Sequence, residues 1–140
     1  GANPSARVTG SGFPLEIADA ETSGNIATIG TVYGKKILAF GSIIFIQIDV
    51  RNINISGLTA GNQIYIRGIP AAYKVSGNFA AIGSAYYSDP NSSSNGVVGA
   101  MGRVDKTFLQ LTLQSGATAK VSDLKTGGNL LVNIWYNSAY

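Results

Sequence analysis

Cysteine and histidine are both absent from this chain of 140 residues. Without cysteine there is no disulfide, no thiolate metal site and no thiol nucleophile. Without histidine the commonest metal ligand and the usual general base are gone, and with them every Ser-His-Asp or Cys-His arrangement. Charge is scarce too. Asp, Glu, Lys and Arg make up 12% of the chain, against about 25% in an ordinary soluble domain. No apolar run approaches the roughly 20 residues of a membrane-spanning helix. The longest, Ile43-Ile44-Phe45-Ile46, is cut by Gln47 and Asp49, so no membrane insertion is expected. No basic stretch followed by an apolar one marks a signal peptide. The start, Gly1-Ala2-Asn3-Pro4-Ser5, reads as the cut end of a longer chain.

Glycine is abundant, at 18 residues, and hydrophobic residues reach an ordinary 45%. The polar surface must then be built from Asn, Ser, Thr, Gly and Gln. Such a skin suits a surface buried in an oligomer, an extracellular setting, or both. The net charge is +3, from 10 basic and 7 acidic residues. The basic residues are scattered, and only Lys35-Lys36 forms a cluster. Phosphate tracking needs a concentrated stripe, so no nucleic-acid partner is expected.

Residues 1–12 are rich in Gly, Ser, Pro and Thr and read as a linker or lead-in. From Phe13 the pattern is that of strands. Ile44, Ile46, Ile48 and Val50 alternate with Gln47, Asp49 and Arg51. Ile53 and Ile55 continue on the opposite parity, which predicts a bulge or bend near Asn52. Further strands are expected over 63–67, 79–87, 97–104, 108–114 and 130–136. Turn signals separate them: Ser56-Gly57, Ala60-Gly61-Asn62, Ser76-Gly77-Asn78, Asp89-Pro90-Asn91, Asn95-Gly96, Ser115-Gly116 and Gly127-Gly128. The one helical candidate, 119–124, is a single short turn. Residues 13–140 therefore read as one all-β domain, an antiparallel β-sandwich of jelly-roll-like type. The segment 88–96 is the expected exposed tip.

The carboxylates offer little chemistry. Glu16, Asp19 and Glu21 sit close together near the start and read as solvated turn carboxylates. No D-x-D-x-D-G pattern marks a calcium loop. Gly10-Ser11-Gly12 has no helix behind it and is not a phosphate cradle. No catalytic residue, metal or cofactor is expected. The aromatics say more. Tyr86-Tyr87 runs into the Asp89-Pro90-Asn91 loop, and adjacent residues on a strand point to opposite faces. Tyr33 precedes Gly34-Lys35-Lys36, and Trp135, Tyr136 and Tyr140 crowd the C-terminus. Exposed tyrosines beside amides and charges suit sugar binding, where rings stack on apolar sugar faces and polar groups take the hydroxyls. The same rings would equally fill a sandwich core or a subunit interface.

Four phrases occur in a recognisable order. They are Gly30-Thr31-Val32-Tyr33-Gly34-Lys35-Lys36 with Phe40-Gly41-Ser42-Ile43; Ile55-Ser56-Gly57-Leu58-Thr59-Ala60-Gly61-Asn62-Gln63-Ile64 with Ile69-Pro70; Phe79-Ala80-Ala81-Ile82-Gly83 with Tyr86-Tyr87; and Val121-Ser122-Asp123-Leu124, Gly127-Gly128-Asn129-Leu130 and Ile134-Trp135-Tyr136. Over roughly residues 25–140 the chain resembles the C-terminal receptor-binding domains of bacteriophage tail fibres and related virion fibre proteins. The resemblance implies a compact β-sandwich that forms a homotrimer at a fibre tip. There it would bind a host cell-surface glycan or an outer-membrane receptor, without enzymatic activity. It implies a virion protein assembled in the host cytoplasm. Ile43 and Phe45, on the outward parity, are the expected interface residues. The expected ligand-binding residues are Tyr86, Tyr87, Asp89 and Asn91, then Arg103 and Tyr33. The alternatives are a structural trimerisation or capsid-decorating domain without ligand, or a capsule depolymerase accessory module.

Overall fold

Residues 9–76 and 80–138 are described by a computed structural model. Residues 1–8 of the expected lead-in, the Gly77-Asn78 turn, Phe79 at the expected start of a strand, and Tyr140 lie outside them. Among the described residues the strands are β1 (Thr9–Gly12), β2 (Glu16–Ala18), β3 (Thr28–Phe40), β4 (Ile43–Asn54), β5 (Tyr65–Arg67), β6 (Ala81–Tyr87), β7 (Val97–Gly102), β8 (Phe108–Leu113) and β9 (Gly128–Asn137). They form one sheet in the order β1-β3-β4-β9-β6-β7-β8-β5-β2. Every pairing is antiparallel. The only helices among the described residues are single 3-10 turns at Ala71–Tyr73 and Val121–Asp123. The second falls within the expected helical turn. The all-β antiparallel class is therefore what the chain adopts.

The hairpins β6-β7 and β7-β8 lead to β9, which returns to lie beside β6. This is a Greek key. The sheet then rolls over on itself. The outer edge of β2 meets the residues just before β3: Ala18 bridges Ile26, and the Ala27 amide donates to the Ile17 carbonyl at 2.7 Å. The inward faces of all layers thus share one core. It contains Ile44, Ile46, Ile48 and Val50 of β4, Leu130, Val132 and Ile134 of β9, and Leu109, Leu111 and Leu113 of β8. Along β4 up to Val50 and along β9, alternate residues are buried because a two-residue period sends every second side chain inward.

The expected irregularity near Asn52 is present. Between Val50 and Ile53, β4 carries one extra residue against β9, and Asn52 takes a positive φ of 53°. This bulge shifts the strand's phase, so Ile53 and Ile55 are buried like Val50 before them. A second bulge, at Tyr33, puts one extra residue in β3 against β4.

Three expectations need correction. Residues 9–12 of the lead-in pair with β3 as a strand, from Thr9 opposite Ala39 to Gly12 opposite Lys36. The strand expected over 97–104 ends at Gly102, where a turn closes through the Lys106 amide to the Arg103 carbonyl. The third concerns the early carboxylates, which are not solvated alike. Asp19 is only 3% exposed. Its carboxylate accepts the Asn25 amide at 2.8 Å, the Asn25 side chain at 2.9 Å and the Thr59 amide at 2.8 Å. The turn thereby satisfies a buried charge with fixed N–H donors, the Asn25 side chain contributing most. Those donors hold the Asp19 pKa down at about 2. Gly24, with φ 69°, leaves room for this; a Cβ there would lie 2.7 Å from the carboxylate oxygen. Arg67 clamps the same turn, donating to Glu16 and to the carbonyls of Ala20 and Ser23. Glu21 pairs with Lys106 at 2.9 Å.

The folded pKa of Asp19 lies below the unfolded carboxylate value. Its stabilisation is therefore complete above about pH 4 and is lost as the pH falls toward 2. Asp19→Asn replaces an acceptor oxygen by a donor. It is expected to lower stability by about 1–3 kcal/mol at neutral pH and to flatten the acid limb below about pH 4. Urea unfolding of both proteins at neutral and acid pH measures this.

Candidate functional site

The outward parity of the central strands forms a broad, gently twisted face. Its rows follow from the register. Leu38, Phe45 and Trp135 line up across β3, β4 and β9. Next come Lys36, Gln47, Asn133 and Ser84 across β3, β4, β9 and β6. The following row is Gly34, Asp49, Leu131 and Tyr86. The face is apolar at one end and polar at the other.

At the polar end, Arg51 and Asp49 sit two residues apart on one face of β4. Arg51 Nε donates to Asp49 Oδ1 at 2.6 Å and its Nη2 to Oδ2 at 3.1 Å. This two-pronged pairing fixes the guanidinium plane. It also holds the Asp49 carboxyl below its ordinary value, chiefly through the Arg51 hydrogen bond. The guanidinium carbon lies 5.1 Å from the centre of the Tyr33 ring, a cation–π distance. Tyr33 is the extra residue of the β3 bulge and stands 71% exposed. Tyr86 is 54% exposed and borders a shallow depression of about 150 Å³ with Ser84, Leu131 and Asn133. Three strand spacings separate the rows of Tyr33 and Tyr86, which is about 14 Å. The structure therefore brings these two expected site residues onto one face, with Asp49, Arg51 and Leu131 between them and Gln47, Asn133 and Ser84 in the adjacent row.

The other four expected residues lie elsewhere. Tyr87 points inward, as its parity requires, and is 3% exposed. Its hydroxyl donates to the Lys125 carbonyl at 2.6 Å, and burial pushes its pKa up to about 12. Its ring occupies the space that a side chain at residue 128 would need, so Gly128 has none. Asp89 lies in the following loop, where its carbonyl accepts the Lys125 amide at 2.9 Å. Asn91 docks that loop, its amide donating to the Asp123 carbonyl and its side chain to the Ser122 carbonyl. The expected tip, 88–96, is thus tied down at its base by the 3-10 turn Val121–Asp123. Arg103 follows β7 at the end remote from Tyr86, about 20 Å away along the strands. Its Nε donates to Gln110, whose own side chain donates to Gln63. Tyr87 and Asn91 serve the fold, and Arg103 stands apart from the tyrosine face.

Asp49, Arg51 and Asn133 belong to the face and are not among the expected site residues. The shared parity of Gln47, Asp49 and Arg51 was the available signal. No group of three or more Asp or Glu residues capable of holding a metal occurs among the described residues. The arrangement suits stacking and hydrogen bonding: exposed rings flank amides, a hydroxyl and a fixed ion pair. Comparison of the chain with protein-family models gives no match, and comparison with curated proteins gives none.

Tyr87→Phe removes the donor that satisfies the Lys125 carbonyl and is expected to cost about 1 kcal/mol. Tyr86→Thr keeps a strand-forming residue on the exposed face and should change stability by less than about 0.5 kcal/mol. Equilibrium denaturation of the two variants separates the structural tyrosine from the exposed one.

Proposed function

We propose that this chain is a non-enzymatic recognition domain of a phage tail or virion fibre, and that it binds a host cell-surface glycan. One observation carries the reading: Tyr33 and Tyr86 stand exposed on one face, with the Asp49–Arg51 pair and Leu131 between them and a row of polar side chains alongside. Pyranose rings have apolar faces that stack on such aromatics, and hydroxyl edges that take amide and guanidinium hydrogen bonds. Arg51 has five N–H donors, and two are committed to Asp49. The remainder are available beside the Tyr33 ring. The fibre context rests on the resemblance in the order of the sequence phrases.

Homotrimeric assembly is part of the same proposal. At the apolar end of the outer face, Phe40, Ile43, Phe45, Ile82 and Trp135 are all exposed, Trp135 to 60%. Phe40 pairs with Ile43, Phe45 pairs with Trp135, and Ile82 and Trp135 line one depression. Contiguous apolar surface of this kind supports association, since water contact is costly for it. The expected interface residues Ile43 and Phe45 lie inside this patch. It equally favours the second reading, a structural trimerisation or capsid-decorating domain without ligand.

Light scattering is expected to give a mass near three chains, and Phe45→Ser combined with Trp135→Ser to give a monomer. On a glycan array or host cells, the double variant Tyr33→Ser, Tyr86→Thr is expected to lose binding while keeping the mass of the parent. Binding unchanged in that variant would remove the two tyrosines from the site. An intact trimer that binds no glycan and no host cell would establish the structural reading instead.

A further inference from the structure

Beyond the Tyr33–Arg51 pair, the outer face continues into an open pocket of about 440 Å³ between β3, β4 and the start of β9. It is lined by Thr28, Gly30, Asn52, Asn54, Ser56, Thr126 and Gly127. We infer that this pocket holds one neutral pyranose unit, the end residue of a glycan lying across the tyrosine face. The inference rests on the glycan reading for its class of ligand, and on the pocket's own chemistry for the rest.

The pocket exists because of the bulge. With Asn52 in a left-handed conformation, Arg51 and Asn52 both fall on the outward side, and Asn54 follows. Opposite them on β3 stand Gly30 and Thr28, the latter paired with Asn54. Gly30 and Gly127 bring no side chain into the space. A Cβ on Gly30 would come within 3.0 Å of the Asn52 side chain. The volume falls in the range of small-ligand sites.

The polar groups are arranged for a ligand that both donates and accepts. Asn54 Oδ1 already accepts the Ser56 amide at 3.0 Å, the Ser56 hydroxyl at 2.6 Å and the Thr126 hydroxyl at 3.1 Å. Its oxygen is saturated, so its NH₂ group is oriented and has no partner among the described residues. The Asn52 side chain has none there either; its backbone amide is taken by Asn129 Oδ1 at 3.0 Å. One amide is thus a fixed donor, and the other offers both a donor and an acceptor. Hydroxyl-rich ligands match that set. No charged side chain lines the pocket. The neighbouring guanidinium is neutralised by Asp49. An anionic sugar would lose hydration here and meet no cationic side chain in the lining.

The test is a titration of the ¹⁵N-labelled chain with glucose, galactose and N-acetylglucosamine, with glucuronate as the anionic control. At least one neutral sugar is expected to shift the amides of Gly30, Asn52, Asn54, Ser56 and Gly127 saturably, with Kd on the order of 1 mM or weaker. Asn52→Gly keeps the positive φ and deletes the side-chain amide, so the fold is retained. It is expected to weaken that binding by about tenfold or more, the loss of roughly 1.4 kcal/mol. Thr28→Trp, which fills the pocket from a strand position, should abolish it. No saturable shift in the pocket with any of the neutral sugars, or equal binding of glucuronate, overturns the inference. Shifts around Tyr33 and Tyr86 without the pocket would overturn it while leaving the glycan-binding face intact. Shifts in the pocket alone would uphold it, since a single sugar unit fills the pocket without reaching Tyr86.

Discussion

At Asn52 the backbone of β4 takes a left-handed conformation, and the strand gains one residue on β9. The core depends on this. Without the shift, Ile53 and Ile55 would face water and Asn52 and Asn54 would face the core, because the two-residue period admits no other exchange. The outer face depends on it as well. The extra residue sends Arg51 and Asn52 outward in succession, so an ion pair, an exposed ring and an amide-lined pocket meet at one place. Asparagine suits the position, since it enters the left-handed region more readily than branched or bulky residues. The matching bulge in β3 turns Tyr33 out over Arg51.

A rolled sheet of this kind must also settle its ends. The short strand β2 is joined to the residues before β3 by only a few backbone bonds. The turn between them is held from inside by Asp19 and from across the sheet by Arg67. A buried carboxylate is tolerated here because every oxygen meets an N–H donor, which a less complete set of partners would not allow. The chain has few charges, and several of them serve in such clamps. The low charge of the remaining surface is then consistent with a skin made of amides and hydroxyls, interrupted by one apolar patch.

Much of the strand pattern was legible in advance because burial on one face imposes alternation. Ile44 to Val50 is a clear case, and the phase change at Ile53 located the bulge from residue types alone. Strand β3 was not legible as a strand. Its Gly34-Lys35-Lys36 stretch and the extra residue at Tyr33 break the alternation that a continuous partner would otherwise impose. The pair Tyr86-Tyr87 shows both sides of the matter. Parity required one ring in and one out, but only packing against Gly128 and the Lys125 carbonyl assigns the buried role to Tyr87. Asp19 misled for a similar reason: its three donors come from residue 25 and from residue 59, and the second is distant in the chain.

The sequence by itself determined the all-β class, the faces of the central strands, several of the turns and the exclusion of thiol and imidazole chemistry. These follow from composition and from a period of two, both of which are local. Tertiary structure decided which outward residues become neighbours. Tyr33 and Tyr86 are 53 positions apart in the sequence, and β9, the last strand in the chain, lies between β4 and β6 near the middle of the strand order. Its insertion between β4 and β6 aligns Asp49, Leu131 and Tyr86 in one row. Strand order is set by long-range pairing, which alternation alone leaves open, so the face and its pocket emerge only from the folded sheet.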